Sequence, residues 1–245
     1  MSLRAGYARS IAGAGPPLLR RPKVLPGMFS TRRTAVARGK GIPPMVDRIM
    51  AGALLVVLAP LMAGIAVLIR CTSRGPVLFT QVRLGQNEQP FRMLKFRTMF
   101  RDCDDRLHRE YVHQLLTTPG ASLRSPEGLY KLVHDPRITR LGRWLRKSSL
   151  DELPQLINVL RGEMSLVGPR PALPWEAAMF LPRHRKRFEV RPGITGLWQI
   201  SGRNELTMTQ ALDLDVVYVD RKSLVLDLAI LIRTFRAVLS GRGVP

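Results

Sequence analysis

"IMAGALLVVLAPLMAGIAVLI", Ile49 to Ile69, is a run of 21 residues without a charge. At 1.5 Å of rise per residue, a helix of that length measures about 31 Å, roughly the hydrocarbon thickness of a bilayer. Two features stand against a simple crossing. Pro60 lies at the centre of the run, where its missing N–H removes a backbone hydrogen bond and forces a bend. Basic residues also flank both ends, with Arg38, Lys40 and Arg48 before the run and Arg70, Arg74 and Arg83 after it. Positive flanks stay cytoplasmic, so both ends are expected on that face. A helix broken at Pro60 that enters one leaflet and returns meets both conditions. A kinked single span and a buried core helix are the alternatives.

The charge balance of the whole chain extends this reading. Its 245 residues carry 39 Lys+Arg against 18 Asp+Glu, a net charge of +21. Such an excess points to a polyanionic partner: nucleic acid, anionic lipid or a phosphorylated substrate. A hydrophobic content of 45% excludes wholesale disorder. Residues 1–40 hold nine basic residues and no acid, broken by Gly and Pro. With no apolar core followed by a small-residue cleavage site, this is no secretory signal. A basic arm lying on anionic lipid, with little fixed structure, is expected, although its Arg-rich composition also resembles an organelle transit peptide. Cys71 and Cys103 share no CxxC spacing, and the four histidines show no HExxH pattern. Neither a disulfide framework nor a zinc site is implied.

Beyond Arg70, residues 76–85 and 91–99 alternate apolar and polar around the turn-rich "GQNEQP", as a short hairpin does. A helical period follows over 102–116, then a Gly/Ser/Pro loop over 117–128. One or two helices are expected across 137–164, and an amphipathic or nearly all-apolar helix over 223–239 that could be a dimer surface. "RHRKRFEVRPG" (183–193) reads as a polybasic patch for lipid head groups between Arg183 and Arg187. Trp144 and Trp198 are expected as core or interfacial anchors.

Within "SSLDELPQL" (148–156), two scarce carboxylates, Asp151 and Glu152, stand side by side. Ser149 followed by Glu152 matches a capping box, and Pro154 suits the first turn of a helix. That reading explains the pair without chemistry. Its surroundings offer another. Arg143 and Arg146 share a helix face, Lys95 and Arg97 alternate on a strand, and Arg170 sits in a stiff Pro169-Arg170-Pro171. Arg191 and Arg203 each neighbour glycines that permit close backbone approach to a ligand. Carboxylates among such cations stay ionised. Mg²⁺ suits a mixture of one or two carboxylates with phosphate, and an ionised Asp can attack phosphorus to give an acyl phosphate. No GxxxxGK[ST] or GxGxxG loop is present.

"KFRTM" (95–99), "SLDELPQLINVLRGEMSLVGPRP" (149–171) and "RPGITGLWQISGR" (191–203) resemble the signature blocks of the bacterial sugar transferases, the monotopic phosphoglycosyl transferases. The similarity runs from about Pro43 to Gly243. Minimal members have one re-entrant membrane helix broken at a proline, often Ser-Pro, where this chain has Ala59-Pro60. Larger members carry an N-terminal four-helix membrane domain, in whose place this sequence has its basic arm. An aromatic residue often stands in the family where this chain has Lys222.

The resemblance implies that Asp151 attacks the β-phosphorus of a UDP-sugar, releasing UMP, and that polyprenyl phosphate then accepts the phosphosugar. It implies that Glu152 helps hold Mg²⁺ or takes a proton, Asp151 being the other metal candidate. Lys95, Arg97 and Arg146 are implied to grip phosphate, and Pro169, Arg170 and Pro171 to border the nucleotide.

The expected fold is α/β and mostly helical: a basic arm over 1–42, a re-entrant helix over 43–71 bent at Pro60, and a cytoplasmic catalytic domain over 72–245. A short hairpin and amphipathic surface helices complete it. The expected place is the cytoplasmic face of the bacterial inner membrane, with a UDP-sugar, polyprenyl phosphate and anionic lipid as partners. The competing reading is a non-catalytic basic module that binds nucleic acid or anionic lipid.

Overall fold

The computed structural model describes residues 41–100, 109–110, 112–114, 135, 137–201 and 206–239. The basic arm through residue 40, most of the helix expected over 102–116, the 117–128 loop, Arg203 and the tail after Leu239 lie outside the described residues.

Helix α1, Pro44–Thr72, keeps helical backbone over 29 residues with Pro60 inside it. Pro44 opens the helix, where a missing N–H costs nothing. Apolar side chains surround α1, but only one stripe is covered. Asp47, Ala51, Ile65 and Ile69 are buried, and Leu55, Leu58 and Met62 are partly buried on the same side. These positions recur at three- and four-residue intervals and so share a face. The opposite face is bare, with Val56 at 76% and Val57 at 73% exposure. A 29-residue helix measures about 43 Å, and the domain lies along it from end to end. Near its start, Ile42 N–H donates to Asp227 Oδ2 at 2.8 Å and Leu166 N–H to Asp47 Oδ1 at 3.3 Å. Beyond its last turn, the Ser73 carbonyl accepts from Arg97 Nη2 at 2.8 Å.

Strands β1 (Leu78–Leu84) and β2 (Pro90–Phe96) pair antiparallel, in register from Leu78 opposite Phe96 to Leu84 opposite Pro90. The turn between them places Asn87 and Glu88 at positive φ. Both strands are shorter than the 76–85 and 91–99 read from alternation. After Phe96 the chain leaves the ladder, because Arg97 turns to the end of α1 and Thr98 to the helix that follows.

Helix α2 (Arg140–Ser148) is capped by Thr139, whose side chain accepts from Gly142 N–H. A 3₁₀ turn, Leu150–Glu152, leads to α3 (Gln155–Arg161). Strand β3 (Ser165–Val167), α4 (Pro174–Ala178), a 3₁₀ stretch (Pro182–Glu189), β4 (Gly193–Thr195) and α5 (Leu197–Ile200) come next. Strands β3 and β4 pair in parallel. Helices α6 (Met208–Arg221) and α7 (Leu224–Leu239) close the described chain. Thr207 and Gln210 form a reciprocal capping box on α6. The described architecture is thus mostly helical with two small sheets.

The core gathers Leu156 and Val159 of α3, Leu166 of β3, Trp198 of α5, Met208 and Tyr218 of α6 and Ile230 of α7 against Ala51. A smaller cluster joins Ile65 and Ile69 to Phe96 and Leu145. Trp198 is a core residue, whereas Trp144 is exposed on α2. Gly193 is held by close backbone approach: a Cβ there would run into Gly168 N and the Val167 carbonyl carbon. Gly193→Ala must therefore pry β4 from β3. A loss of about 3 kcal/mol is expected, readable as a lower melting temperature of the detergent-solubilised protein. An unchanged melting temperature would contradict this packing.

The stretch expected to be a lipid patch is an ion-paired face. Arg183 meets Asp213, Arg185 meets Glu88, Lys186 meets Asp220 and Arg187 meets Asp215. His184 and Arg187 are buried. These cations spend their charge on α6 and the β1–β2 turn, because the 3₁₀ stretch packs against both.

Candidate active site

Asp151 and Glu152 stand on the 3₁₀ turn between α2 and α3. The expected capping box is not made. Ser149 takes the left-handed conformation, φ 57° and ψ 15°, and its side chain caps nothing. Pro154 is the residue just before α3 rather than part of its first turn. Glu152 turns instead to cations: Lys95 Nζ donates to its Oε1 at 2.9 Å, and Arg170 Nη1 lies 3.7 Å from the same oxygen. An ion pair with two partners outcompetes one backbone hydrogen bond. Asp151 is buried and Glu152 half-buried.

Three elements bring these groups together. Strand β2 carries Lys95 and the turn after α2 carries both carboxylates. The loop after β3 carries Pro169, Arg170 and Pro171. Burial lowers the Lys95 pKa below its ordinary value, with Glu152 and Asp151 opposing the shift and Arg170 adding to it. The proline carbonyls hold the loop, Pro169 O accepting from Gly193 N–H at 2.9 Å and Pro171 O from Arg83 Nη1 at 3.1 Å.

Arg97 and Arg146 each bond to a neighbouring segment. Arg97 Nη2 donates to Ser73 O and Oγ, at 2.8 and 2.7 Å, tying β2 to the end of α1. Arg146 Nε donates to Thr98 Oγ1 at 2.9 Å, tying α2 to the residue after it. Arg191 is half-buried ahead of β4. The structure therefore gathers Asp151, Glu152, Lys95 and Arg170, and gives Arg97 and Arg146 contacts to the frame around them.

Asn158 was not singled out in the sequence. It is fully buried on α3; its Oδ1 accepts from Leu94 N–H at 3.0 Å, and its Nδ2 donates to Arg92 O at 2.8 Å. It thereby clamps β2, and Lys95 with it, to the helix behind the carboxylates. The one signal available was an amide among the apolar residues Leu156, Ile157 and Val159.

Among the described residues no group of three or more His, Cys, Asp or Glu is positioned to hold a metal. The two adjacent carboxylates still fit Mg²⁺, which takes one or two protein carboxylates and fills its octahedron with phosphate oxygens and water.

A family model described as Bacterial sugar transferase matches residues 40–241. Exopolysaccharide production protein ExoY of Sinorhizobium fredii is 40% identical over 80% of this chain and 85% of its own length. The undecaprenyl-phosphate glucose phosphotransferase of Komagataeibacter xylinus is 41% identical over 78% of this chain. The undecaprenyl-phosphate galactose phosphotransferase of Salmonella typhimurium is 40% identical over 69%. In each of these two longer relatives the match spans 34% of the relative's length.

Proposed function

The chain belongs to the bacterial sugar transferase family, and on that premise we propose that it moves a sugar 1-phosphate from a UDP-sugar to polyprenyl phosphate through a phosphosugar ester of Asp151. The observation that carries this reading is the Asp151–Glu152 turn, faced by Lys95 at 2.9 Å and Arg170 at 3.7 Å from Glu152. An Asp151 carboxylate oxygen forms a bond to the β-phosphorus while the bond from that phosphorus to the bridging oxygen breaks, and UMP leaves with the electron pair. A phosphate oxygen of the polyprenyl acceptor then attacks the same phosphorus. The acyl-phosphate bond breaks, the Asp151 carboxylate returns, and polyprenyl diphosphate sugar departs.

Lys95 and Arg170 draw the transferring phosphate toward Asp151 and offset its growing charge. Glu152, fixed by both cations, accepts the acceptor's proton or shares a metal with Asp151. Arg97 and Arg146 hold β2 and α2 at the distance this requires. A bound Mg²⁺ supplies charge neutralisation for the phosphates; EDTA is expected to lower UMP release at least about tenfold, with Mg²⁺ restoring it.

The membrane helix serves the second substrate. Both ends of α1 rest on the same domain, and its exposed face is apolar between Arg48 and Arg70. A helix crossing the bilayer would carry one end away from a domain on one side. We read α1 as re-entrant, which leaves the domain on the cytoplasmic face with its site close to the head groups. Cysteine labelling at positions 38 and 74, in a chain lacking Cys71 and Cys103, should then mark both on the cytoplasmic side. Labels on opposite sides would establish a full span.

UMP release measured across a panel of UDP-sugars, with undecaprenyl phosphate as acceptor, tests the activity and names the sugar. No UMP from any of them would remove this reading. The binding-module alternative has no use for a carboxylate pair faced by Lys95 and Arg170, and predicts a salt-dependent affinity indifferent to Asp151.

A further inference from the structure

Arg187 lies on the 3₁₀ stretch Pro182–Glu189, buried beside the stacked rings of Phe180 and Phe188, whose centroids are 5.1 and 5.8 Å from its guanidinium carbon. Its Nη2 donates to Asp215 Oδ2 of α6 at 2.7 Å and to the Arg170 carbonyl at 2.5 Å. Both charged side chains are almost wholly enclosed. The pair is costly as a stabilising device. Among the described residues Arg187 Nε and Asp215 Oδ1 have no hydrogen-bond partner, and a buried pair left partly unsatisfied is often matched by apolar residues of similar size. Burial also pushes the Asp215 carboxyl up to about 6, against the pull of Arg187. What the pair does hold is the backbone of a loop residue whose side chain reaches Glu152.

We propose that Asp215 and Arg187 form a positioning pair for Arg170, fixing its backbone so that its guanidinium stays beside Glu152. The inference rests on the phosphoglycosyl-transfer reading. Asp215 aims Arg187, Arg187 seats the Arg170 carbonyl, and neither touches substrate. Both phenylalanine rings lie within cation–π range of the guanidinium.

The test is a double-mutant cycle on the full chain in detergent, reading UMP release from UDP-glucose and UDP-galactose with undecaprenyl phosphate. Arg187→Met/Asp215→Leu removes both charges at similar volume, and its melting temperature reports folding. The pair variant is expected to lower kcat/KM at least about tenfold, but less than about threefold in an Arg170→Ala background. The Arg170 carbonyl survives in that background and only the guanidinium is gone, so a purely structural role would lower activity equally in both. Equal losses, or a folded pair variant as active as the parent, overturn the proposal. If the pair variant does not fold, Arg187→Lys is read in its place. It keeps the charge opposite Asp215 and gives up the planar fork, and the same two outcomes decide. Where neither sugar is used, the cycle is read on whichever UDP-sugar of the panel is; a parent chain that releases no UMP from any of them defeats the transfer reading, and this inference with it. An active parent with equal losses defeats the inference alone.

Discussion

Asp151→Asn is expected to stop UMP release, with a loss of at least about a thousandfold and an unchanged fold. Asparagine has the shape of aspartate and keeps the Leu150–Glu152 turn. Its amide cannot displace UMP to form an acyl phosphate, so the first covalent step has no nucleophile. A thousandfold is about 4 kcal/mol of barrier, more than one lost hydrogen bond on a surface accounts for. The measurement is UMP release at matched melting temperature, together with mass spectrometry of the parent chain quenched without acceptor. The parent should carry one added sugar phosphate on the peptide containing Asp151, and the variant none. Wild-type rates in Asp151→Asn would end the covalent mechanism. A direct transfer between the two substrates, with Asp151 only a metal ligand, would leave the parent peptide unmodified.

Lys95→Met is expected to lower kcat by about a hundredfold or more. Lys95 is enclosed by its neighbours, and its amine donates to Glu152 Oε1 at 2.9 Å. Methionine fills the volume but removes the Lys95 ammonium from Glu152, with Arg170 still at 3.7 Å, and leaves one fewer cation for the transferring phosphate. Removing one preorganised donor from such a site typically costs 10²–10³ in rate, about 3–4 kcal/mol. Lys95→Arg should recover little, because a planar guanidinium cannot occupy the place of an ammonium on the same strand position. Steady-state kinetics on both variants decide this. A Lys95→Met enzyme with parent kcat and only a raised KM would make Lys95 a substrate-binding group without a part in the transition state.

Much of this site was legible because its parts are close in sequence. Asp151 and Glu152 are neighbours, and Pro169-Arg170-Pro171 marks itself by its stiffness. Lys95 was nominated by strand alternation, and its partner was not. That Glu152 faces Lys95 across 57 positions depends on how β2 lies over the 3₁₀ turn. Asn158, which sets that lie, looks in the sequence like one more amide in a helix. Ser149–Glu152 matched a local capping rule, and the tertiary cations overruled it. The pairing of the basic run at 183–187 was hidden for the same reason: its acidic partners come from Glu88, Asp213, Asp215 and Asp220, far away in sequence.

By itself the sequence determined what each segment can bury and what it must leave exposed. The uncharged run at 49–69, the helical periods, the carboxylate pair and the cationic excess are local properties, carried by composition and spacing. Only the tertiary structure decided which charges meet. It put Arg187 into the core beside Asp215, bound Arg97 and Arg146 to the frame, and left Lys95 and Arg170 facing Glu152. Ion pairing falls off over a few ångströms and is blind to sequence separation, so a chain with 39 cations and 18 acids permits many pairings. Packing selects among them.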